Sequence, residues 1–368
     1  MEIENVIQWL LLKSVSGIGD VTFRRLIERF GSPGGVMDAS EEELLAVEGI
    51  GRRLCGSIRS AAATPEIRRE AEFLKRSDAR FCTILDRDYP EGVRQIHDPP
   101  PFLYLKGEFR PEDRLAIAVV GSRRCTDYGR GVAYRLGWDL ASRGFTVVSG
   151  LARGIDTAAH LGALEAGGRT IGVLGSGLGI SYPAERELIK KSMEERGVLV
   201  TEFSMSAAPD AVNFPKRNRL ISGLSLGVVV VEAAERSGAL ITASFALEQG
   251  REVFAVPGPI GSETSRGTHH LIKQGAKLVE GLDDILEELH AAKPTLPERT
   301  GGGRPPGEAT LTDEEEKIYT LLSHTPCPID DLIMKANLAA STMSGLLLQL
   351  ELKGKARQLP GLLYVRGN

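Results

Sequence analysis

The segment from Leu115 to Asp156, LAIAVVGSRRCTDYGRGVAYRLGWDLASRGFTVVSGLARGID, constrains the fold more than any other part of the chain. An unbroken apolar run ends in Gly121-Ser122-Arg123, a stretch of helical period follows, and a second apolar run ends in Ser149-Gly150. That order predicts strand, glycine turn, helix and strand. Strands joined by a helix lie parallel in one sheet, so both turns come to the same carboxyl edge. Helix amino ends and glycine amides point outward there, toward whatever binds. Between Arg123 and Arg153 stand six arginines and two aspartates, so the edge suits an anion.

The same alternation continues over residues 112–290, with strands predicted at 115–120, 146–148, 170–174, 198–201, 227–231, 252–256 and 277–279. The runs are β-branched and nearly uninterrupted, which predicts an α/β domain: a doubly wound parallel sheet covered on both faces. At 368 residues the chain exceeds one ordinary core, so two or three domains are expected. The net charge of -4 rules out attraction of a polyanion by the molecule as a whole; nucleic acid has to be held by a local basic patch. Cys55, Cys82, Cys125 and Cys327 stand singly, which suits a reducing compartment and gives no zinc site. No apolar run approaches the roughly 20 residues of a membrane span, and the start is not a signal peptide. A cytoplasmic protein without membrane contact, metal or cofactor is expected.

Residues 1–80 read as short helices with two similar turns, Val15-Ser16-Gly17-Ile18-Gly19 and Val47-Glu48-Gly49-Ile50-Gly51. These mark a helix-hairpin-helix (SAM-like) module, whose glycines either offer amides to DNA phosphates or only permit tight helix corners. Residues 81–111, with Asp98-Pro99-Pro100-Pro101, read as a connector leading into a short strand. Residues 291–310, with Gly301-Gly302-Gly303 and Pro305-Pro306, have the composition of a flexible linker. Residues 311–368 follow the order of a winged helix, but the would-be recognition helix, Ser341 to Leu352, carries no lysine or arginine. Protein contact or packing is therefore favoured over groove reading for this module.

The sheet edge fails the tests for common nucleotide sites. Gly175-Ser176-Gly177-Leu178-Gly179-Ile180 puts isoleucine where a dinucleotide fingerprint needs its third glycine, and no P-loop occurs. His160 reads as structural, and no residue is assigned a catalytic role. What remains suits a phosphate chain. Gly121 and Ser122 offer donors at one helix start, Ser149, Gly150 and Gly154 at a second, and Ser237 and Gly238 at a third. Arg123, Arg124 and Arg153 add charge-assisted bonds. In Asn213-Phe214-Pro215-Lys216-Arg217-Asn218-Arg219, the cations Lys216, Arg217 and Arg219 flank the Phe214 ring and the Asn218 amide. Charges that track a backbone beside a ring that stacks on a base are what an unpaired strand requires. Against this, Phe214 can serve the core, and Arg217 and Arg219 can pair with Glu202 or Glu232.

These motifs resemble the bacterial DNA-processing protein A (DprA/Smf) family. The likeness rests on Gly121-Ser122-Arg123 with Tyr128-Gly129, Ser149-Gly150-x-Ala152-x-Gly154-Ile155-Asp156, Tyr182-Pro183, Phe214-Pro215-x-Arg217-Asn218-Arg219, Val230-Val231-Glu232-Ala233, Ser237-Gly238-x-Leu240-Ile241-Thr242 and Val256-Pro257-Gly258. The resemblance implies a Rossmann-like central domain, single-stranded DNA binding at Gly121 to Arg123 and Phe214 to Arg219, a homodimer, and loading of the RecA recombinase during natural transformation. Family members more often carry Ser-Glu before a proline where this chain has Glu202-Phe203-Ser204-Met205-Ser206. The alternative is an enzyme, because the crevice also looks like that of phosphoribohydrolases of the lysine-decarboxylase-like group. Their Pro-Gly-Gly-x-Gly-Thr-x-x-Glu run is missing here, although Ser237-Gly238 and Glu248 fall in loosely similar places.

Overall fold

The structure is a computed structural model describing residues 2–180, 187–289, 311–323, 327–353, 355–359 and 361–366. It divides into two compact units, Met1–Cys125 with Ala133–Leu296, and Thr126–Val132 with Pro297–Asn368.

The first unit opens with six helices, α1 (Ile3–Ser14), α2 (Asp20–Phe30), α3 (Pro33–Asp38), α4 (Glu41–Leu45), α5 (Arg52–Arg59) and α6 (Pro65–Arg76). Both predicted hairpins are present, joining α1 to α2 and α4 to α5. Gly17 (φ 97°) and Gly49 (φ 90°) take the left-handed conformation that these corners require. Trp9 stacks on Phe23 with centroids 5.5 Å apart and meets Phe102 edge-on at 6.5 Å. Since Phe102 belongs to the sheet, the helical module shares its core with the sheet.

The sheet contains β1 (Arg80–Thr83), β2 (Phe102–Gly107), β3 (Ala116–Val120), β4 (Thr146–Ser149), β5 (Thr170–Val173), β6 (Gly197–Thr201), β7 (Gly227–Val230), β8 (Glu252–Ala255) and β9 (Lys277–Leu278), in the order β1-β2-β6-β5-β4-β3-β7-β8-β9. Strands β3 to β9 run parallel, and every residue of β3, β4, β5, β6 and β7 is buried. Helices α8 (Asp127–Ser142), α9 (Ile155–Glu165), α10 (Glu187–Arg196), α11 (Asn213–Gly223), α12 (Gly238–Glu248), α13 (Arg266–Lys273) and α14 (Leu282–Glu288) complete the domain, while the short α7 (Glu91–Arg94) lies between β1 and β2. The chain winds from β3 outward through β4, β5 and β6, then returns to place β7 on the other side of β3. Such a reversal opens a crevice at the carboxyl ends of the two strands that flank it.

Residues 81–111 do more than connect. Phe81, Phe102 and Tyr104 form an aromatic cluster, and Tyr104 pairs with Thr201, so β2 and β1 extend the sheet as antiparallel strands. The three prolines occupy the loop before β2, where their missing donors cost no ladder bond.

The second unit contains α15 (Asp313–Leu321), β10 (Cys327–Pro328), α16 (Ile329–Ala336), α17 (Ala340–Leu352), β11 (Ala356–Leu359) and β12 (Leu363–Arg366), a winged helix with sheet order β10-β12-β11. Ile318, Leu332, Met343, Leu347 and Leu350 fill its core. The turn between α16 and α17 is made by Asn337 in the left-handed region (φ 52°). The predicted linker 291–310 and the Tyr182-Pro183 motif lie outside the described residues.

Candidate nucleic-acid interface

Two turns meet at the crevice. At the end of β3, a Cβ on Gly121 would lie 2.6 Å from Ile155 Cγ1 and 2.9 Å from the Glu232 carbonyl oxygen. Only glycine fits this junction. The Ser122 amide donates to the Glu232 carbonyl (2.8 Å), tying β3 to β7, and the Ser122 carbonyl accepts from the Ile155 amide (3.3 Å). Gly154 (φ 82°) lies against the backbone of Ser122 and Arg123, so the β4 turn presses on the β3 turn. The Ser122 hydroxyl accepts from the Arg124 amide at 3.1 Å, and the side chains of Arg123 and Arg124 emerge into solvent.

Helix α11 brings the fourth piece. Its first turn holds Phe214 and Pro215, the latter placed where a helix tolerates a missing N–H. Phe214 lies half-buried over the end of β5, where a Cβ on Gly175 would come within 2.7 Å of the ring. The Arg123 guanidinium sits 4.7 Å from the Phe214 ring centroid. Residues 91 positions apart in the chain thus meet face to face, while Lys216, Arg124 and Arg153 are exposed. Neither Arg123, Arg124 nor Lys216 forms an ion pair among the described residues. At α12, the Ser237 hydroxyl caps the helix by accepting from the Ala239 amide (3.3 Å), and the Gly238 carbonyl accepts from Asn218 Nδ2 (3.2 Å). Arg236, exposed just ahead of this cap, is a rim cation that motif reading passed over.

Four of the residues expected to hold phosphate are buried, with partners inside the protein. Ser149 is fully buried and its hydroxyl donates to the Val119 carbonyl at 2.6 Å. The Gly150 amide donates to Asp156 Oδ2 (3.1 Å), as does that of Ala152 (3.3 Å), so the chain's own carboxylate fills this amide nest. Leu151 between them takes the left-handed conformation (φ 52°), which turns both amides inward. Arg217, 3% exposed, donates to the carbonyls of Gly150 (2.8 Å) and Val173. Its charge faces Asp156, whose carboxyl is pushed up by burial and held back chiefly by Arg217. Burial lowers Arg217 to about 10, with the Asp156 carboxylate opposing the shift and Arg123 adding to it, so it stays charged at neutral pH. Arg219, 5% exposed, is bound to three carboxylates, Glu202, Asp98 and Asp20. Of the ion pairs open to these arginines with Glu202 or Glu232, that of Arg219 with Glu202 is present. Ser149, Gly150, Arg217 and Arg219 therefore build the floor of the crevice, beneath the rim.

His160 is wholly buried with Nδ1 2.6 Å from the Thr170 hydroxyl. Among the described residues, one cluster has metal-ligand spacing: Cys82, Asp86 and Asp88. Its groups are engaged, since Asp86 accepts from the Thr83 amide (2.6 Å) and hydroxyl (3.0 Å), Asp88 pairs with Arg80, and burial raises the Cys82 thiol to about 12. No helix among the described residues is long and apolar enough to cross a membrane.

Comparison with known proteins follows the same division of the chain. A family profile described as DNA recombination-mediator protein A matches residues 80–290, a SAM-like helix-hairpin-helix tandem matches 10–64, and a DprA winged helix domain matches 303–361. Protein Smf of Escherichia coli (strain K12) is 42% identical over 275 residues, covering 74% of each chain. The X-ray structure of DNA processing protein A from Streptococcus pneumoniae superposes with a TM-score of 0.64 at 34% identity, covering 78% of this chain and 99% of that one. DNA processing protein A from Helicobacter pylori, solved for its single-stranded DNA binding mode, superposes with a TM-score of 0.52 at 28% identity, covering 58% and 96%. With the central profile spanning more than half of its length and relatives of this identity across most of it, the chain belongs to the DNA recombination-mediator protein A family.

Proposed function

We propose that this protein binds single-stranded DNA at the rim formed by Gly121 to Arg124, Arg153, Phe214, Lys216 and Ser237-Gly238, and that it acts without catalysis. The observation that carries this reading is the Arg123 guanidinium layered on the Phe214 ring beside exposed cations. A base stacks on that pair while Arg124, Arg153 and Lys216 take the flanking phosphates. Asn218 steadies the rim by holding the amino end of α12. The single-strand binding of the Helicobacter pylori relative supports the assignment. The family resemblance extends it to a cytoplasmic homodimer that helps place RecA recombinase on incoming DNA during natural transformation.

Fluorescence anisotropy with a 20-nucleotide oligothymidylate and a duplex of equal length tests the binding. Preference for the single strand is expected, with a slope of log affinity on log salt of about -0.7 for each phosphate neutralised. Equal affinity for both, or affinity indifferent to salt, would remove the assignment. Recombinase loading is checked by filament nucleation on single strands coated with single-strand-binding protein, which this chain should accelerate.

A further inference from the structure

Helix α11 carries Phe214 and Lys216 at its amino end and Arg219 five residues beyond the ring. Arg219 forks onto Glu202, with Nη1 2.9 Å from Oε1 and Nη2 2.8 Å from Oε2, while Nε donates to Asp98 Oδ2 at 2.9 Å and Nη2 to Asp20 Oδ2 at 3.1 Å. These carboxylates come from three places: the end of β6, the proline-rich loop before β2, and the first residue of α2 in the helical module. Lys13 completes the group by pairing with Asp20. The Arg219 carbonyl accepts from Gln249 Nε2 (3.0 Å), which fixes the same turn of α11 to α12. Burial of Arg219 among fixed acceptors leaves the guanidinium one orientation, because its planar fork matches the Glu202 carboxylate in only one plane. Arg217, two residues earlier, pins α11 to the crevice floor. The tilt of α11, and with it the position of the Phe214 ring against Arg123, is set from two sides.

We propose that Asp20 is a positioning residue of the DNA site: through Arg219 it fixes the helix bearing Phe214 and Lys216, so the N-terminal module raises single-strand affinity without touching the strand. The proposal rests on the single-strand reading above. It assigns Arg219 to the junction between module and sheet, in place of a phosphate contact. Asp20, which follows the first hairpin, acts through an ion pair.

The test uses the full chain with 4-fluorophenylalanine at position 214, read by fluorine NMR without DNA and by anisotropy with the 20-nucleotide oligothymidylate. Asp20→Asn should raise Kd about threefold to tenfold, leave the salt slope unchanged, and shift or split the resonance of the DNA-free protein. Asp20→Glu, which keeps the charge, should stay within about twofold of wild type. Arg219→Gln should weaken binding more than Asp20→Asn, again at an unchanged slope. Unchanged affinity in folded Asp20→Asn overturns the proposal, as does a slope shallower by about 0.7 in Arg219→Gln, the mark of a lost phosphate contact. If Arg219→Gln does not fold, the two Asp20 variants decide. If wild type binds no single strand, the DNA reading falls by itself, and superimposable fluorine spectra of wild type and Asp20→Asn would separately overturn the positioning role.

Discussion

The crevice rim and the winged helix both belong to folds that meet DNA, yet their surfaces differ in kind. At the rim, Arg123, Arg124, Arg153 and Lys216 are exposed around one half-buried ring. On α17, the exposed residues among those described are Ala340, Ser341, Thr342, Ser344, Gly345, Leu348 and Gln349, with no cation. Lys353, just past that helix, is held by Glu315 at 2.6 Å. Phosphate attraction dominates affinity for nucleic acid, and α17 offers none of the charge that supplies it. Architecture gives each a helix to present; the side chains on it decide what it meets.

Four substitutions sharpen this contrast, in falling order of effect. Gly150→Ala, in the crevice floor, should do most damage: its Cβ would lie 2.7 Å from the guanidinium carbon of Arg217, which is buried and bound to two carbonyls. Overpacking of this kind costs about 1 to 3 kcal/mol, so thermal melting should show a lowered Tm along with lost strand binding. Gly175→Ala should push the Phe214 ring aside and weaken oligothymidylate binding about tenfold with little change in salt slope, since a stacking contact is worth about 1 to 3 kcal/mol. Lys216→Gln should cost less, and anisotropy across a salt series should show the slope shallower by about 0.7. Leu348→Glu on α17 should leave single-strand affinity within about twofold; a loss like that of Gly175→Ala would erase the distinction between the two regions.

How far the chain could be read from its residues follows the range of the interactions. The parallel strands were legible because buried β-branched runs such as residues 116–120 carry their environment in their composition. The short strand after the three prolines was legible too, but its antiparallel partner at Arg80–Thr83 was not, because aromatic pairing between Phe81 and Phe102 outweighed the local turn signals. The crevice was legible as a place, because most strand ends are marked by glycine or serine. Which cations stay open there was not. Arg219 and Asp20 lie 199 positions apart, and nothing in the Phe214 to Arg219 segment announces a carboxylate donated by another module. The Asp156 nest is the opposite case: the carboxylate stands only six residues from Gly150, close enough to be read as a rival for its amide.

The claim that Arg123 and Phe214 act as one platform for an unpaired strand is tested most directly by a double-mutant cycle. Arg123→Ala, Phe214→Ala and the double variant are titrated with oligothymidylate, with circular dichroism confirming the fold. Each single change should cost about 1 to 3 kcal/mol of binding, and the double variant less than their sum by about 0.5 kcal/mol or more. Wild-type affinity in both single variants would contradict the account, and strict additivity would show that the ring and the guanidinium do not work together.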